Sequence, residues 1–280
     1  MKLLKSVIAL MLALLLPVGC AEPSRTIEHL PVLLYHHIVE QDDGSGSVTV
    51  LEFEAQMSML RAQGYTPISL QQLIAFAEEG SALPDSPVII TFDDGYYSNY
   101  AHAFPILQNN GYPAAIFAIG SSIGKTTYKD TDHPITPHFG KNEITEMVNS
   151  GLISVQSHTY DMHQWPPYET GDAVRETVLP LEGESEETYK TALLNDHRKA
   201  VEVLRESDAD PTVAVAYPHG KHLPLTTALL RQEGAKVTFT TDSKRINTVT
   251  AGDPDCLFDL GRMNIAYDTT NAQILQYLRK

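Results

Sequence analysis

The sequence has 280 residues, 42% of them hydrophobic, so the chain is long enough to bury a full core. Its formal net charge is −15, which argues against binding to nucleic acid through electrostatic attraction. The composition also argues against a disordered, collagen-like or disulfide-scaffolded chain, because it is mixed and contains only two cysteines. One large α/β domain or two small ones remain open.

The first twenty residues differ from the rest of the chain and predict an export signal. A short segment with two lysines precedes an apolar run from residue 7 to residue 16. That run is too short to span a bilayer and is typical of a signal peptide. It ends in Gly19-Cys20, which resembles a bacterial lipoprotein signal with Cys20 as the lipidated first residue. We expect a protein of the cell envelope, anchored in the membrane through Cys20, with residues 21–30 as a tether; secretion as a soluble protein is the alternative.

Cleavage before Cys20 would leave a more acidic chain with a single further cysteine, Cys256. Lysine plus arginine would fall from 20 to 18 against 35 acidic residues, so the formal charge would move from −15 to −17. A neutral glycan, or one that becomes cationic, is not repelled by such a protein. An internal disulfide is excluded, and we expect a small, buried or half-buried side chain at Cys256.

Helix-like segments that end at a glycine alternate with short apolar runs through most of the chain. Such a glycine supplies the left-handed cap that turns a helix back towards a sheet. The predicted elements are a helix through Phe53, Met57 and Leu60, helices at 104–110, 143–150 and 225–233, a long helix ending near Arg205, and strands at 114–119, 152–155 and 237–240. This alternation predicts an α/β fold, a distorted (β/α) barrel of about seven parallel strands. Residues 121–140 are predicted to form a loop.

Polar side chains follow the predicted strands at their carboxyl ends. In a parallel α/β barrel these ends lie on one face, where active sites are built. Five segments share this position: Tyr35-His36-His37, Thr91-Phe92-Asp93-Asp94-Gly95, Ser157 to His163, Tyr217-Pro218-His219-Gly220 and Thr241-Asp242. They predict one cleft lined by carboxylates and imidazoles, with Tyr35 and His36 packed beneath it.

Asp93 and Asp94 give the strongest indication of chemistry. Adjacent side chains at a strand end point in different directions, so one carboxylate can bind a cation while the other activates a water. A turn or a helix cap is the alternative for two aspartates. His158 and His163 are five residues apart and share no helical face, so they have to converge from a turn. With one carboxylate they predict a two-histidine metal set, for which Zn²⁺ is the default and Co, Ni or Fe fit the same ligands.

These motifs resemble carbohydrate esterase family 4, the polysaccharide deacetylases with NodB homology. Residues 91–95 match its first motif, and residues 157–163 match its second in the histidine spacing typical of poly-β-1,6-N-acetylglucosamine deacetylases. The resemblance covers residues 31–280 as one domain, with the NodB-homology core starting near residue 86. The fold of that family, a distorted (β/α) barrel, agrees with the strand pattern.

The resemblance implies a metal-dependent hydrolase that removes acetyl groups from an N-acetylated polysaccharide and releases acetate. Its motifs assign the base to Asp93 and the metal ligands to Asp94, His158 and His163. Poly-β-1,6-N-acetylglucosamine of a biofilm matrix is favoured as the substrate by the histidine spacing. Peptidoglycan and chitin oligomers are the alternatives.

Two weaker motifs depart from the family pattern. Residues 217–220 resemble its third motif, but Ala216 stands where an arginine usually orients the base. Residues 260–265 resemble its last motif, but that segment contains no histidine to act as the general acid. The candidates for this role are His37, His219 and His222. We favour His219 as the catalytic acid of the third motif, since an imidazole titrates near the working pH with little tuning.

Sugar contacts are predicted at four residues near these motifs: His37, Trp165, Tyr217 and Pro218. Trp165 is the only tryptophan and can stack on a sugar ring, with simple packing as the alternative. A glycosidase that uses Asp93 and a second acid is a rival function. A metallopeptidase is disfavoured because no His-Glu-x-x-His stretch occurs. A catalytically impaired glycan-binding lipoprotein is the remaining alternative, because two motifs are degenerate.

Overall fold

The computed structural model describes residues 25–169 and 173–280, so the predicted signal with Cys20 lies outside the described residues. Its strands are β1 (Thr26–Ile27), β2 (Val32–Tyr35), β3 (Ile38–Val39), β4 (Val48–Thr49), β5 (Thr66–Pro67), β6 (Pro87–Asp94), β7 (Ala114–Ala118), β8 (Ile153–Ser157), β9 (Ala214–Ala216), β10 (Val237–Phe239), β11 (Val249–Thr250) and β12 (Met263–Asn264). Its helices are α1 (Val50–Ala62), α2 (Leu70–Glu79), α3 (Phe104–Asn110), α4 (Lys141–Asn149), α5 (Glu186–Glu206), α6 (Pro224–Gln232) and α7 (Asn271–Leu278).

Seven strands form one curved parallel sheet in the order β10-β9-β8-β7-β6-β2-β12, and β5 pairs with the start of β6. Every residue of β2, β6, β7, β8, β9 and β10 is buried, because helices or loops cover both faces of the sheet. The predicted distorted (β/α) barrel is therefore confirmed. The carboxyl ends of these strands lie on one face, as the active-site prediction requires.

The two edges of this sheet approach each other through residues 260–264. Leu260 bridges to Phe239 of β10, and β12 pairs with Leu33 and Leu34 of β2. One short segment thus contacts β10 at one edge of the curved sheet and supplies β12, the strand at the other edge. The side chain of Arg262, which lies between these two contacts, is fully buried inside the barrel.

The helices cover the outside of the sheet with apolar faces. In α1 the buried residues are Phe53, Gln56, Met57 and Leu60, so the predicted apolar face is confirmed. Helix α3 has its predicted bounds and ends at Gly111 with φ 65°, the left-handed conformation expected of a glycine cap. Cys256 is half-buried, as predicted. Within the described ranges, none of the helices is long and apolar enough to cross a bilayer.

Candidate active site

A cleft of about 900 Å³ lies over the carboxyl ends of the central strands. Among the residues that line it are Asp93, Asp94, His158, His163, His219 and Trp165. The structure therefore brings together the residues predicted as base, metal ligands and acid, although they come from β6, the loop after β8 and the loop after β9. The convergence follows from the parallel sheet, which places all of these strand ends side by side.

Asp93 is held by a buried arginine from a distant part of the chain. The two terminal nitrogens of Arg262 donate to the two carboxylate oxygens of Asp93, each at 2.7 Å. The Arg262 Nε also donates to the carbonyl oxygen of Thr240 at 3.0 Å, which fixes the plane of the guanidinium. Burial by itself would raise the pKa of Asp93, but Arg262 and then His158 hold that pKa well below its usual range. The carboxylate is thus ionised and fixed in orientation.

Arg262 makes with Asp93 the kind of contact that the family motif assigns to an arginine at the position of Ala216. The arginine comes from the segment that joins the two sheet edges and not from the strand end before Tyr217. Residues 260–265 resemble the last family motif, but that resemblance gives Arg262 no function. The available signal was a lone arginine in a largely apolar stretch, since a buried guanidinium requires a partner.

The three predicted metal ligands form a compact set. Asp94 Oδ1 lies 3.6 Å from His158 Nε2 and 3.7 Å from His163 Nε2, and one ligand atom from each residue fits within 4.8 Å of the others. His158 Nδ1 donates to the carbonyl oxygen of Ala216 at 2.8 Å, which leaves the Nε2 lone pair free to bind a cation. Asp94 Oδ1 is buried and has no hydrogen-bond partner among the described residues, a state that a bound cation would relieve. The donor set fits a divalent metal.

The chain turns sharply at the end of β6, immediately after Asp93. Asp94 has φ 71° and Gly95 has φ 82°, so two consecutive residues adopt the left-handed conformation. A Cβ atom at Gly95 would lie 3.0 Å from the Cβ of Ala118 and 3.2 Å from its Cα, so only glycine fits there without strain. The left-handed backbone of Asp94 costs free energy, and residues of this kind are concentrated at functional sites.

The remaining predicted residues fall into two groups. His219, with φ 55°, places its ring 4.7 Å from the ring of His163, and Trp165 stands at the rim with half of its surface exposed. His37, Tyr217 and Pro218 do not line the cleft. His37 Nδ1 lies 2.7 Å from Ser98 Oγ, and the buried Tyr217 hydroxyl hydrogen-bonds to Asp259.

His36 lines the cleft in place of its neighbour His37. His36 thus shares the cleft lining with Asp93 and Asp94. His36 was expected to pack beneath the site, and this expectation was wrong. Two adjacent histidines after a strand point in opposite directions, and the sequence does not indicate which one faces the cleft.

A family model described as polysaccharide deacetylase matches residues 80–238, which is more than half of the chain. The chain belongs to the polysaccharide deacetylase family. It is 27% identical over 232 residues to the poly-beta-1,6-N-acetyl-D-glucosamine N-deacetylase of Escherichia coli K12, covering 76% of this chain and 34% of that protein. The enzyme of the same name from Staphylococcus epidermidis is 27% identical over 202 residues, covering 71% of this chain and 63% of that protein. This polysaccharide deacetylase chain thus spans less than two thirds of the length of either relative.

Two solved structures superpose on most of this chain. IcaB from Ammonifex degensii superposes with a TM-score of 0.71 at 27% identity, covering 90% of this chain and 98% of that chain. A de-N-acetylase from Aggregatibacter actinomycetemcomitans gives a TM-score of 0.75 at 23% identity, covering 89% and 100%. The second likeness establishes the fold. The curved parallel sheet described above is therefore the fold of polysaccharide deacetylases.

Proposed function

We propose that residues 31–280 form a metal-dependent N-deacetylase that hydrolyses acetamido groups of poly-β-1,6-N-acetylglucosamine. One observation carries the proposal: a set of two histidines and one carboxylate, of which His163 alone is partly exposed to the cleft, lies beside a second carboxylate that is held by a buried arginine. A glycosidase needs two carboxyl groups placed on either side of a glycosidic bond and requires no cluster of imidazoles. The pairing of Asp93 with Arg262 and of Asp94 with two histidines favours hydrolysis of an amide.

The two aspartates take different tasks in this reaction. A divalent cation bound by Asp94, His158 and His163 would supply a Lewis acid that polarises the acetyl carbonyl and acidifies a water. Asp93, ionised and fixed by Arg262, accepts the proton of the attacking water as a C–O bond forms. The C–N bond then breaks, and a histidine gives a proton to the leaving amine, so the products are acetate and a glucosamine unit.

Two histidines are candidates for the general acid. His219 is the residue proposed from the third motif, and its ring contacts that of His163. His36 is the candidate that the structure adds, because it lines the cleft together with Asp93 and Asp94. Neither belongs to the three-residue metal set, so each is free to hold a proton for the amine.

The choice of polymer rests on the histidine spacing and on the names of the relatives. His158 and His163 are five residues apart, and both curated relatives above are named for poly-beta-1,6-N-acetyl-D-glucosamine. The exposed Trp165 at the cleft rim offers a flat face for a sugar ring. Peptidoglycan and chitin oligomers are the alternative substrates. A catalytically impaired glycan-binding lipoprotein is the alternative function.

The proposal extends to the metal and the cellular location. Zn²⁺ is the proposed metal, because two imidazoles and one carboxylate with open positions are its usual catalytic ligands; Co, Ni or Fe are alternatives. The amino-terminal pattern supports export to the cell envelope and a lipid anchor at Cys20. Membrane fractionation of cells that express the full chain and a Cys20→Ala variant tests the anchor: the variant should leave the membrane fraction.

The deciding experiment measures acetate release from β-1,6-linked N-acetylglucosamine oligomers by the chain without its signal. It is run as purified, after chelation, and after Zn²⁺, Co²⁺ or Ni²⁺ is added back. We expect release to disappear on chelation, to return with metal, and to be absent in Asp93→Asn while that variant still binds metal. If the wild type binds the oligomers and the metal but releases no acetate from them, from chitin or from peptidoglycan fragments, the binding-protein alternative replaces the enzyme.

A further inference from the structure

The loop that carries both histidine ligands, residues 158–163, is anchored to helix α5 through one side chain. The carboxylate of Asp196 accepts a hydrogen bond from the backbone N–H of Tyr160 at 2.9 Å and another from that of Asp161 at 2.7 Å. These two amides lie in the stretch between His158 and His163. The contact is long-range, because Asp196 follows them by more than thirty residues in the middle of α5.

The shape of this loop explains why its amides need an outside acceptor. Thr159 has φ 72°, so the chain turns immediately after His158, and Thr159 Oγ1 accepts from the N–H of Met162 at 3.2 Å. The two intervening N–H groups, those of Tyr160 and Asp161, have no backbone acceptor among the described residues and donate to Asp196 instead. Buried N–H groups without an acceptor cost free energy, so a loop of this shape requires a partner such as Asp196.

The opposite side of the loop is also fixed. The carbonyl oxygens of Thr159 and Tyr160 accept from the N–H groups of Gly120 and Ser121 at 3.0 and 2.9 Å. The loop is therefore held between the segment after β7 on one side and α5 on the other. The Asp161 side chain also pairs with Lys129 Nζ at 2.8 Å. Of the contacts made to the backbone of the loop from these two sides, only the one with Asp196 comes from a side chain, so a substitution can remove it.

Burying a carboxylate at this position costs free energy unless its charge takes part in an interaction. Asp196 is partly buried, and burial raises its pKa to about 6. An apolar side chain would serve a packing role on α5 at lower cost. Two backbone N–H donors on one carboxylate are the strong, charge-assisted kind of hydrogen bond, which suits the fixing of a loop.

We propose that Asp196 is a positioning residue that holds the 158–163 loop in the one shape in which histidines five residues apart converge on Asp94. Its relation to metal affinity rests on the proposed function, whereas its hold on the loop amides does not. Groups that orient metal ligands from behind typically change metal affinity about 10- to 100-fold when they are removed. A contact that fixes the backbone between two ligand residues should affect metal affinity in the same way.

The test compares Asp196→Ala and Asp196→Asn with Leu204→Ala, a control that loosens the same helix. Leu204 is fully buried and packs in the core cluster with Ile144 and Val155, away from the histidine loop. Hydrogen exchange at the Tyr160 and Asp161 amides is followed in the metal-free proteins. The Kd for Zn²⁺ and for Co²⁺ is measured well below each melting temperature.

We expect Asp196→Ala to speed exchange at these two amides by about tenfold or more and to weaken metal binding by a similar factor. Asp196→Asn should fall between it and the wild type, because the amide oxygen still accepts. Leu204→Ala should melt earlier and keep its Kd within about twofold. Unchanged exchange in Asp196→Ala would overturn the anchoring contact, and faster exchange with an unchanged Kd would overturn the positioning role. A wild type that binds no metal would count against the proposed function instead, and the exchange data would still decide the anchoring.

Discussion

Arg262 binds both carboxylate oxygens of Asp93 from a segment that also connects the two edges of the sheet. The proposed base is thereby aligned by the same residues that bring the edges of the barrel together. Both side chains are almost completely removed from water, so the pair has excellent geometry in a place where either charge alone would be very costly. Function and stability are coupled at this contact.

Replacing Arg262 with alanine should therefore damage both properties. We expect a loss of about 3–5 kcal/mol in the free energy of unfolding, because Asp93 would be left as an unpaired buried charge. Arg262→Lys should retain part of that stability but lower kcat/KM about 100-fold, since an ammonium cannot donate in the bidentate fork that fixes the carboxylate. Urea unfolding and acetate-release kinetics measure the two effects.

Arg198→Ala is the control for this experiment. Arg198 forms an exposed two-pronged ion pair with Glu233, which does not line the cleft. Its loss should change the free energy of unfolding little, because exposed ion pairs are weak, and should leave kcat/KM unchanged. Equal effects of the two arginine substitutions would contradict a special role for Arg262.

The general acid can be assigned by single alanine substitutions at His36 and His219. We expect one substitution, and not both, to lower kcat by about 100-fold or more, the usual contribution of proton transfer by a positioned side chain. Metal affinity should stay close to that of the wild type in both variants, since neither residue belongs to the metal set. If neither substitution lowers kcat, neither His36 nor His219 is the general acid.

Trp165 should contribute to binding of the polymer and not to the chemical step. Its ring is half-exposed at the cleft rim and lies 5.2 Å from the ring of Tyr168. For Trp165→Ala we expect KM to rise about tenfold while kcat changes little. A contact remote from the reacting amide contributes the same binding free energy in the ground state and in the transition state. Trp165→Phe should retain most of the affinity. An unchanged KM in Trp165→Ala would indicate that the ring only packs against its neighbour.

The candidate metal set could be predicted from the sequence because the positions of its members follow from simple geometry. Asp94 is the last residue of the buried strand β6, and His158 and His163 follow the buried strand β8. A parallel sheet brings such positions together whatever the details of packing. The helix faces and the glycine caps were predicted for the same reason, since they depend only on local periodicity and backbone preference. Helix α2 was not predicted, although its Ser69 cap and its buried apolar face are both present in the sequence.

The contacts that tune the site could not be predicted, because they join distant parts of the chain. Arg262 reaches Asp93 only because the two-residue strand β12 pairs with β2, and a strand of that length has no detectable period. Asp196 meets the histidine loop only through the packing of α5 against it. Whether His36 or His37 faces the cleft depends on the register at the end of β2, because a shift of one residue moves each side chain to the other face of the sheet.

A final prediction concerns the pH dependence of stability at Asp259, beneath the third motif. Its carboxylate accepts from the hydroxyls of Tyr217, Thr227 and Thr238 at 2.9–3.1 Å and lies 3.4 Å from His222 Nε2. Burial opposes ionisation, but His222 and the threonine hydroxyls outweigh it and lower the pKa of Asp259 to about 2. The hydrogen bond between His222 and Asp259 raises the pKa of His222 in turn.

The sign of the effect follows from these two shifts. A carboxyl group with a lowered folded-state pKa stabilises the fold above its unfolded value of about 3.9, and this stability is lost as the pH falls through about 2. The histidine stabilises the fold below its unfolded value of about 6.5, and this contribution is lost as the pH rises through its folded-state value. The pair is therefore most stabilising between about pH 4 and pH 6.

We expect Asp259→Asn to lower the free energy of unfolding by about 2 kcal/mol near pH 5, and this deficit should shrink as the pH falls towards 2. The pKa of His222, followed by proton NMR, should fall in the variant because its acceptor loses its charge. Asp255→Asn is the control, since Asp255 pairs with Arg231 on the exposed surface and should cost less than about 1 kcal/mol. A deficit in Asp259→Asn that is independent of pH between 5 and 2 would mean that the carboxylate acts by shape and hydrogen bonding alone, without its charge.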